Sequence, residues 1–178
     1  MPLEIERKFL VATDEWRSLV TSRVLMRQGY LSSGSRCSIR ARIAGDRAWL
    51  NVKGKRSGMT RLEYEYSIPV EHADEILNEL RDGPLIEKFR HELPVGQHVW
   101  EIDEFLGENA GLIVAEIELN SESESFERPT WLGREVTEDQ RYYNFNLAKR
   151  PYKTWTVDDP IAVGDAALNT PSSAHRGL

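Results

Sequence analysis

The pattern that most constrains this fold is a pair of like charges two residues apart, repeated in short segments that are otherwise apolar. In LEIERKF, Leu3 to Phe9, an extended strand puts Glu4, Glu6 and Lys8 on one face and Leu3, Ile5, Arg7 and Phe9 on the other, because successive side chains alternate sides. SIRARIA aligns Arg40 with Arg42, opposite Ile39, Ala41 and Ile43. AWLNVKG places Lys53 with Asn51 and Trp49, and RLEYEYSI sets Glu63 and Glu65 against Leu62, Tyr64, Tyr66 and Ile68. Further along, EKFRHEL opposes Lys88 and Arg90 to Phe89 and Leu93, and WEIDEF opposes Glu101 and Asp103 to Trp100 and Ile102. LIVAEIEL opposes Glu116 and Glu118 to Ile113, Ala115, Ile117 and Leu119.

A wet face explains one such strand. It does not explain the series, because solvated faces mix signs whereas most of these pairs carry one. Neighbouring like charges on a sheet repel, by about 4 kcal/mol per pair at 4 Å in an effective dielectric near 20. Segregated carboxylates and segregated cations therefore call for ligands to neutralise them. A hard divalent metal suits the carboxylates, and a multiply charged anion suits the Arg and Lys set. Metal and polyanion together make a metal-bound polyphosphate. Many antiparallel strands with one polar and one apolar face can close into a barrel, which removes exposed edges. The expectation is a charge-lined interior with helices over the apolar outside, the reverse of an ordinary small barrel.

The bulk properties agree. With 178 residues, 40% hydrophobic and 29% charged, the chain has the composition of one soluble globular domain. Its formal charge of −6 argues against a general nucleic-acid binder and leaves room for a local basic pocket. Cys37 is the single cysteine, so neither an intrachain disulfide nor a Cys-rich metal site is expected. The N-terminus is charged from Glu4 onward, unlike a signal peptide, and no apolar run approaches the ~18 residues of a membrane span. A cytoplasmic protein with no membrane partner is expected.

Between the strands, Thr13-Asp14-Glu15-Trp16 reads as the start of a short amphipathic helix. Gly29, Gly34 and Gly45-Asp46 read as breaks, and GKRSG (Gly54 to Gly58) as a linking loop. A helix is expected from Glu71 to Arg81 with Ile76, Leu77 and Leu80 inward, ended by Asp82-Gly83-Pro84. Strands are expected over Ile86–Leu93, His98–Phe105 and Leu112–Asn120. Thr137-Glu138-Asp139 reads as the cap of a helix that carries Tyr142, Tyr143, Phe145 and Leu147 and stops before Pro151. Residues 1–155 form the expected domain, and 156–178, rich in Asp, Pro, Ser, Gly and Ala, the expected tail.

Glu4-Ile5-Glu6-Arg7-Lys8 resembles the E-x-E-x-K signature of the CYTH superfamily, the triphosphate tunnel metalloenzymes. The likeness continues through Arg40/Arg42, the Lys53 strand, Glu63/Glu65, Lys88/Arg90 and Glu116/Glu118, and covers Pro2 to Lys149. GREVTEDQRYYNFNLA, Gly133 to Ala148, is similar to the closing segment of small bacterial members. The resemblance implies an α+β fold built on an eight-stranded antiparallel β-barrel, a tunnel, with activity on triphosphates. It assigns metal to Glu4, Glu6 and Glu118, and phosphate to Lys8, Arg40, Arg42, Lys53, Lys88 and Arg90. Glu63, Glu65, Asp103 and Glu116 look like a second metal or water-positioning set. The implied cofactors are Mg²⁺ or Mn²⁺, two ions, and the implied partner is a small-molecule triphosphate. A homodimer is compatible with the sequence but not specified by it.

Inorganic tripolyphosphate is the leading substrate by likeness to the small bacterial members. The alternatives are a class IV-type adenylyl cyclase acting on ATP, and a silent binder of polyphosphate or nucleotide. The acidic set argues against the silent binder, since anion binding alone needs no carboxylates. GKRSG lacks the spacing of a phosphate loop. His72, His91, His98 and His175 lack metal-ligand spacing. Cys37 reads as a small packed residue, Tyr142 and Tyr143 as core or covering residues, and Arg61 and Arg141 as partners in ion pairs, with membership of the phosphate set as the second reading.

Overall fold

The computed structural model describes residues 3–33, 36–55, 57 and 60–156. Gly34, Arg56, Gly58, His175 and the tail acids Asp158, Asp159 and Asp165 lie outside the described residues. The elements are β1 (Leu3–Val11), β2 (Ser22–Ser33), β3 (Cys37–Ala44), β4 (Arg47–Gly54), β5 (Thr60–Ile68), α1 (Val70–Glu79), β6 (Ile86–Val95), β7 (His98–Phe105), β8 (Ile113–Glu118), β9 (Leu132–Glu135) and α2 (Asn144–Lys149). Eight strands form an antiparallel barrel in the order β5-β4-β3-β2-β6-β7-β8-β1, and β1 closes it onto β5. The closing contact is short: Leu3, Glu4 and Ile5 face Leu62, Arg61 and Thr60. Farther along β1, Phe9 and Val11 pair with β9 instead. Among the described residues no helix is long and apolar enough to cross a membrane.

The alternation read from the sequence decides which side faces in. The outer faces of β1, β7 and β8 supply Phe9, Trp100, Ile102, Ala115 and Ile117 to a buried cluster completed by Trp16, Leu93 and Trp131. Side chains of this size contribute roughly 1.5–3 kcal/mol each on full burial. α1 lays Ala73 and Leu77 on Ala41, Ile43 and Ala48 of β3 and β4. The interior face turns apolar toward one end. There Leu10, Ile86, Phe105 and Val114, two residues beyond Lys8, Lys88, Asp103 and Glu116, meet Val136, Tyr142 and Leu147 in a buried cluster.

Several local expectations are corrected. α1 ends at Glu79, and Leu80 is 65% exposed, its inward place taken by Ala73. Gly29 is not a break but lies inside β2, where an added Cβ would stand 3.0 Å from Leu77 Cδ2. α1 packs against that bare backbone. The helix expected after Thr137 is split into a 3-10 turn, Gln140–Tyr142, capped by Asp139, and α2. Extended Tyr143 separates the two, its hydroxyl donating to Thr137 O at 2.9 Å. Cys37 is exposed rather than packed. The outer face of β5 is only partly covered and exposes Leu62, Tyr64 and Tyr66.

Candidate active site

The interior holds a cavity of about 370 Å³ lined by Glu4, Glu6, Lys8, Arg40, Arg42, Lys53, Glu63, Glu65, Lys88, Arg90, Glu116 and Glu118. Each sits on the inward-facing parity of its strand, so the barrel converts a one-dimensional i, i+2 pattern into a single charged surface. A second cavity of about 210 Å³ shares Glu6, Lys8, Arg40, Lys53, Arg61 and Asn144 with the first and reaches Tyr30, Ser38, Lys55, Tyr143 and Phe145. The first includes exposed Glu118 in its lining, and the second reaches Asn144 and Phe145 of α2.

Asp103 is the one expected site residue outside that lining. It is wholly buried and accepts from Arg90 Nε at 2.8 Å, from Arg90 Nη2 at 2.7 Å and from Lys88 Nζ. Glu116 accepts from Arg90 Nη2 at 2.8 Å and from Lys8 Nζ. Burial alone would raise both acids. For Asp103 the nearby Arg90 and Lys88 win and hold it below the usual range. For Glu116, Lys8, Arg90 and Lys88 hold it well below. The lysines divide the same way: burial opposes the charge on Lys8, but Glu116 and Glu6 push its pKa up. Burial and the adjacent Arg90 bring Lys88 down to about 8 despite Asp103.

On the opposite wall, Lys53 Nζ is 2.5 Å from Glu63 Oε2 and 3.2 Å from Glu4 Oε1. Arg42 Nη2 is 2.7 Å from Glu65 Oε2, and Asn51 Nδ2 donates to Glu63 at 2.9 Å and Glu65 at 2.7 Å. Arg40 forms no ion pair among the described residues. It donates to neutral Gln28 at 3.1 Å, and its Nε is buried with no partner. Glu118, exposed at its edge of the cavity lining, likewise has no ion pair among the described residues. Partial burial and the nearby Glu4, Glu101, Glu6 and Glu63 raise its pKa.

Among the described residues no three acidic, His or Cys side chains converge closely enough to hold a metal as they stand. The donor set nevertheless fits a hard cation. Glu6 and Glu118 are cross-strand partners, Glu4 shares their face, and all three offer carboxylate oxygens, the ligands that such ions take.

The CYTH domain family model matches residues 2–152. The chain belongs to this family. An inorganic triphosphatase of Acetivibrio thermocellus is 51% identical over 155 residues, covering 87% of this chain and 99% of the relative. An inorganic triphosphatase of Nitrosomonas europaea is 41% identical over 150 residues, 82% of this chain and 96% of the relative. The crystal structure of an inorganic triphosphatase superposes with a TM-score of 0.60 at 34% identity, over 83% of this chain and 95% of that one. The resemblance read from the strand motifs and the barrel fold are both borne out.

Gln28, Arg61, Glu101 and Asn144 also line the cavity, and Asn51 donates to its Glu63 and Glu65, though no motif assigns any of the five. Asn51 and Glu101 shared a strand face with Lys53 and Asp103, which was signal enough. Arg61 stands two residues before Glu63 and carries the same parity. Gln28 lies in a strand without paired charges, and Asn144 comes from α2, so neither announced itself.

Proposed function

We propose that this chain is a divalent-metal-dependent triphosphatase that cleaves inorganic tripolyphosphate to pyrophosphate and phosphate inside the barrel. The observation that carries the reading is the single interior surface on which Arg40, without an ion pair among the described residues, and a crowded Glu118 sit among paired carboxylates and cations. The carboxylates and cations that the sequence segregates by strand neutralise one another across the barrel, and the groups left over, a cation and a carboxylate, fit a ligand that carries both an anion and a metal ion.

Arg40, Arg42, Lys53, Lys88, Arg90 and Lys8 would hold the phosphate oxygens. Asp103 fixes Arg90 and Lys88 from behind, and Glu116, in the cavity wall, pairs with Arg90 and Lys8, so these cations are aimed before substrate arrives, as electrostatic preorganisation requires. Glu4, Glu6 and Glu118 would hold the first metal ion, and Glu63, Glu65 and Glu116, which line the cavity, are the members of the set within reach of a second. A bound divalent ion neutralises phosphate charge and lowers the pKa of water. Water attacks the terminal phosphorus in line, the bond to the bridging oxygen breaks, and pyrophosphate leaves with the electron pair. Catalysis is then mostly positioning and charge stabilisation, as in phosphoryl transfer generally.

The working unit is residues 1–155 with 156–178 appended, a division consistent with the family match ending at 152. A reducing cytoplasm suits the lone, exposed Cys37. The test is phosphate release from tripolyphosphate, ATP and thiamine triphosphate in parallel, with Mg²⁺, Mn²⁺ or EDTA and chromatographic separation of products. Metal-dependent formation of pyrophosphate and phosphate from tripolyphosphate is expected. Cyclic AMP and pyrophosphate from ATP would overturn the hydrolase reading.

A further inference from the structure

A metal ion on Glu4 and Glu6 must take oxygens that already have occupants. Arg61 Nη2 donates to Glu6 Oε1 at 3.2 Å, and Arg61 Nε donates to Glu4 Oε2. Arg61 reaches both because it faces Glu4 across the short β1–β5 closure. The planar guanidinium fork lets one side chain bridge two carboxylates. Its side chain is only 20% exposed, and it lines both cavities, so its charge needs a partner in every state. Glu118, the third carboxylate, has no such occupant among the described residues.

We propose that Arg61 is a resident counter-ion that couples metal binding to polyphosphate binding: it occupies the metal's place on Glu4 and Glu6, and transfers to the anion when the metal binds. The inference rests on the metal-dependent reading above. Metal alone would strand the Arg61 charge near Lys53, Arg40 and Lys8. Anion alone, by drawing Arg61 away, would take one cation from Glu4 and Glu6, which Lys53 and Lys8 also contact at 3.2 and 3.4 Å, and leave more of their charge facing Glu118. Each ligand removes the other's penalty, so they bind with positive coupling, equal in either order by linkage and typically about 5–150-fold.

The test measures Mn²⁺ affinity by electron paramagnetic resonance of the free ion, with and without a tripolyphosphate analogue whose bridging oxygens are replaced by NH. Arg61→Met is expected to bind Mn²⁺ alone about 5-fold or more tighter than wild type and to lose a similar factor of coupling to the analogue. Arg42→Met removes an equal charge from the same cavity and is expected to change Mn²⁺ affinity less. Arg61→Lys keeps the charge but not the fork, and should fall between. It also serves if Arg61→Met fails to melt cooperatively. Unchanged Mn²⁺ affinity in Arg61→Met, or an equal gain in Arg42→Met, would overturn the role of Arg61 while leaving the metal-dependent reading intact. Absence of Mn²⁺ binding by wild type even with the analogue would sink that reading itself.

Discussion

Asp103→Asn keeps side-chain volume and removes the one charge that holds both Arg90 and Lys88. Breaking a buried pair by removing one partner commonly costs about 3–5 kcal/mol, but this network has an outlet. Burial and Arg90 bring Lys88 down to about 8, so at pH 7 it can shed its proton for roughly 1–2 kcal/mol. Weakened bonds from Arg90 add roughly 2 kcal/mol, within the range for hydrogen bonds to charged groups. The expected loss at pH 7 is therefore about 3–4 kcal/mol. That corresponds to roughly 6–16 °C in Tm for a chain of this size and lies within the stability of a typical domain. The sign of the pH dependence follows from linkage. Below pH 8 the folded wild type keeps the Lys88 proton while the folded variant releases it earlier, so the destabilisation shrinks as pH rises through that window. Above about pH 8 only the Arg90 share remains, about 2 kcal/mol. Urea unfolding of both proteins at pH 6.5 and pH 9 measures this. Equal losses at the two pH values, or a loss below about 1 kcal/mol at pH 6.5, would refute the argument that Lys88 relieves the network.

Lys88 also sets an alkaline limit: kcat/KM for tripolyphosphate should fall as pH rises through about 8, and Lys88→Arg should remove that fall in a pH-rate profile. Glu118→Gln should raise Tm at pH 7, because a carboxyl whose folded pKa is raised by burial and by Glu4, Glu101, Glu6 and Glu63 opposes folding once ionised. The same change should lower metal-dependent turnover, so a differential melt and a rate assay must move in opposite directions. Gly29→Val should destabilise by roughly 1–3 kcal/mol, measured by urea unfolding, because the added carbons meet Leu77 at 3.0 Å and Arg81 at 3.3 Å.

The interior surface was legible because strand parity is absolute: a residue two positions from an inward carboxylate also points inward. That is why twelve of the thirteen assigned residues line one cavity. Depth was not legible. Parity places Asp103 inward as firmly as Glu116, and only the barrel's packing shows Asp103 behind Arg90 and Lys88 rather than beside the cavity. Partnership was not legible either, since the pairing of Arg61 with Glu4 depends on the register of β1 against β5, residues far apart in the chain. The split after Thr137 and the outward turn of Leu80 have a common cause. Helical periodicity predicts a face, whereas the barrel surface that the face meets decides how many turns are covered: α1 buries Ala73 and Leu77 on β3 and β4 and leaves Leu80 exposed.

The central claim is that the interior face, rather than the net charge, handles the triphosphate. Phosphate release from tripolyphosphate with Mg²⁺ by Arg40→Ala and Arg47→Ala tests it most directly, because both lose one positive charge. Arg40 is buried in the cavity wall and Arg47 is exposed outside it. Arg40→Ala should lose turnover by about 100-fold, the scale of removing one preorganised charge-stabilising donor, while Arg47→Ala should match wild type. Equal activity in the two variants would contradict the account.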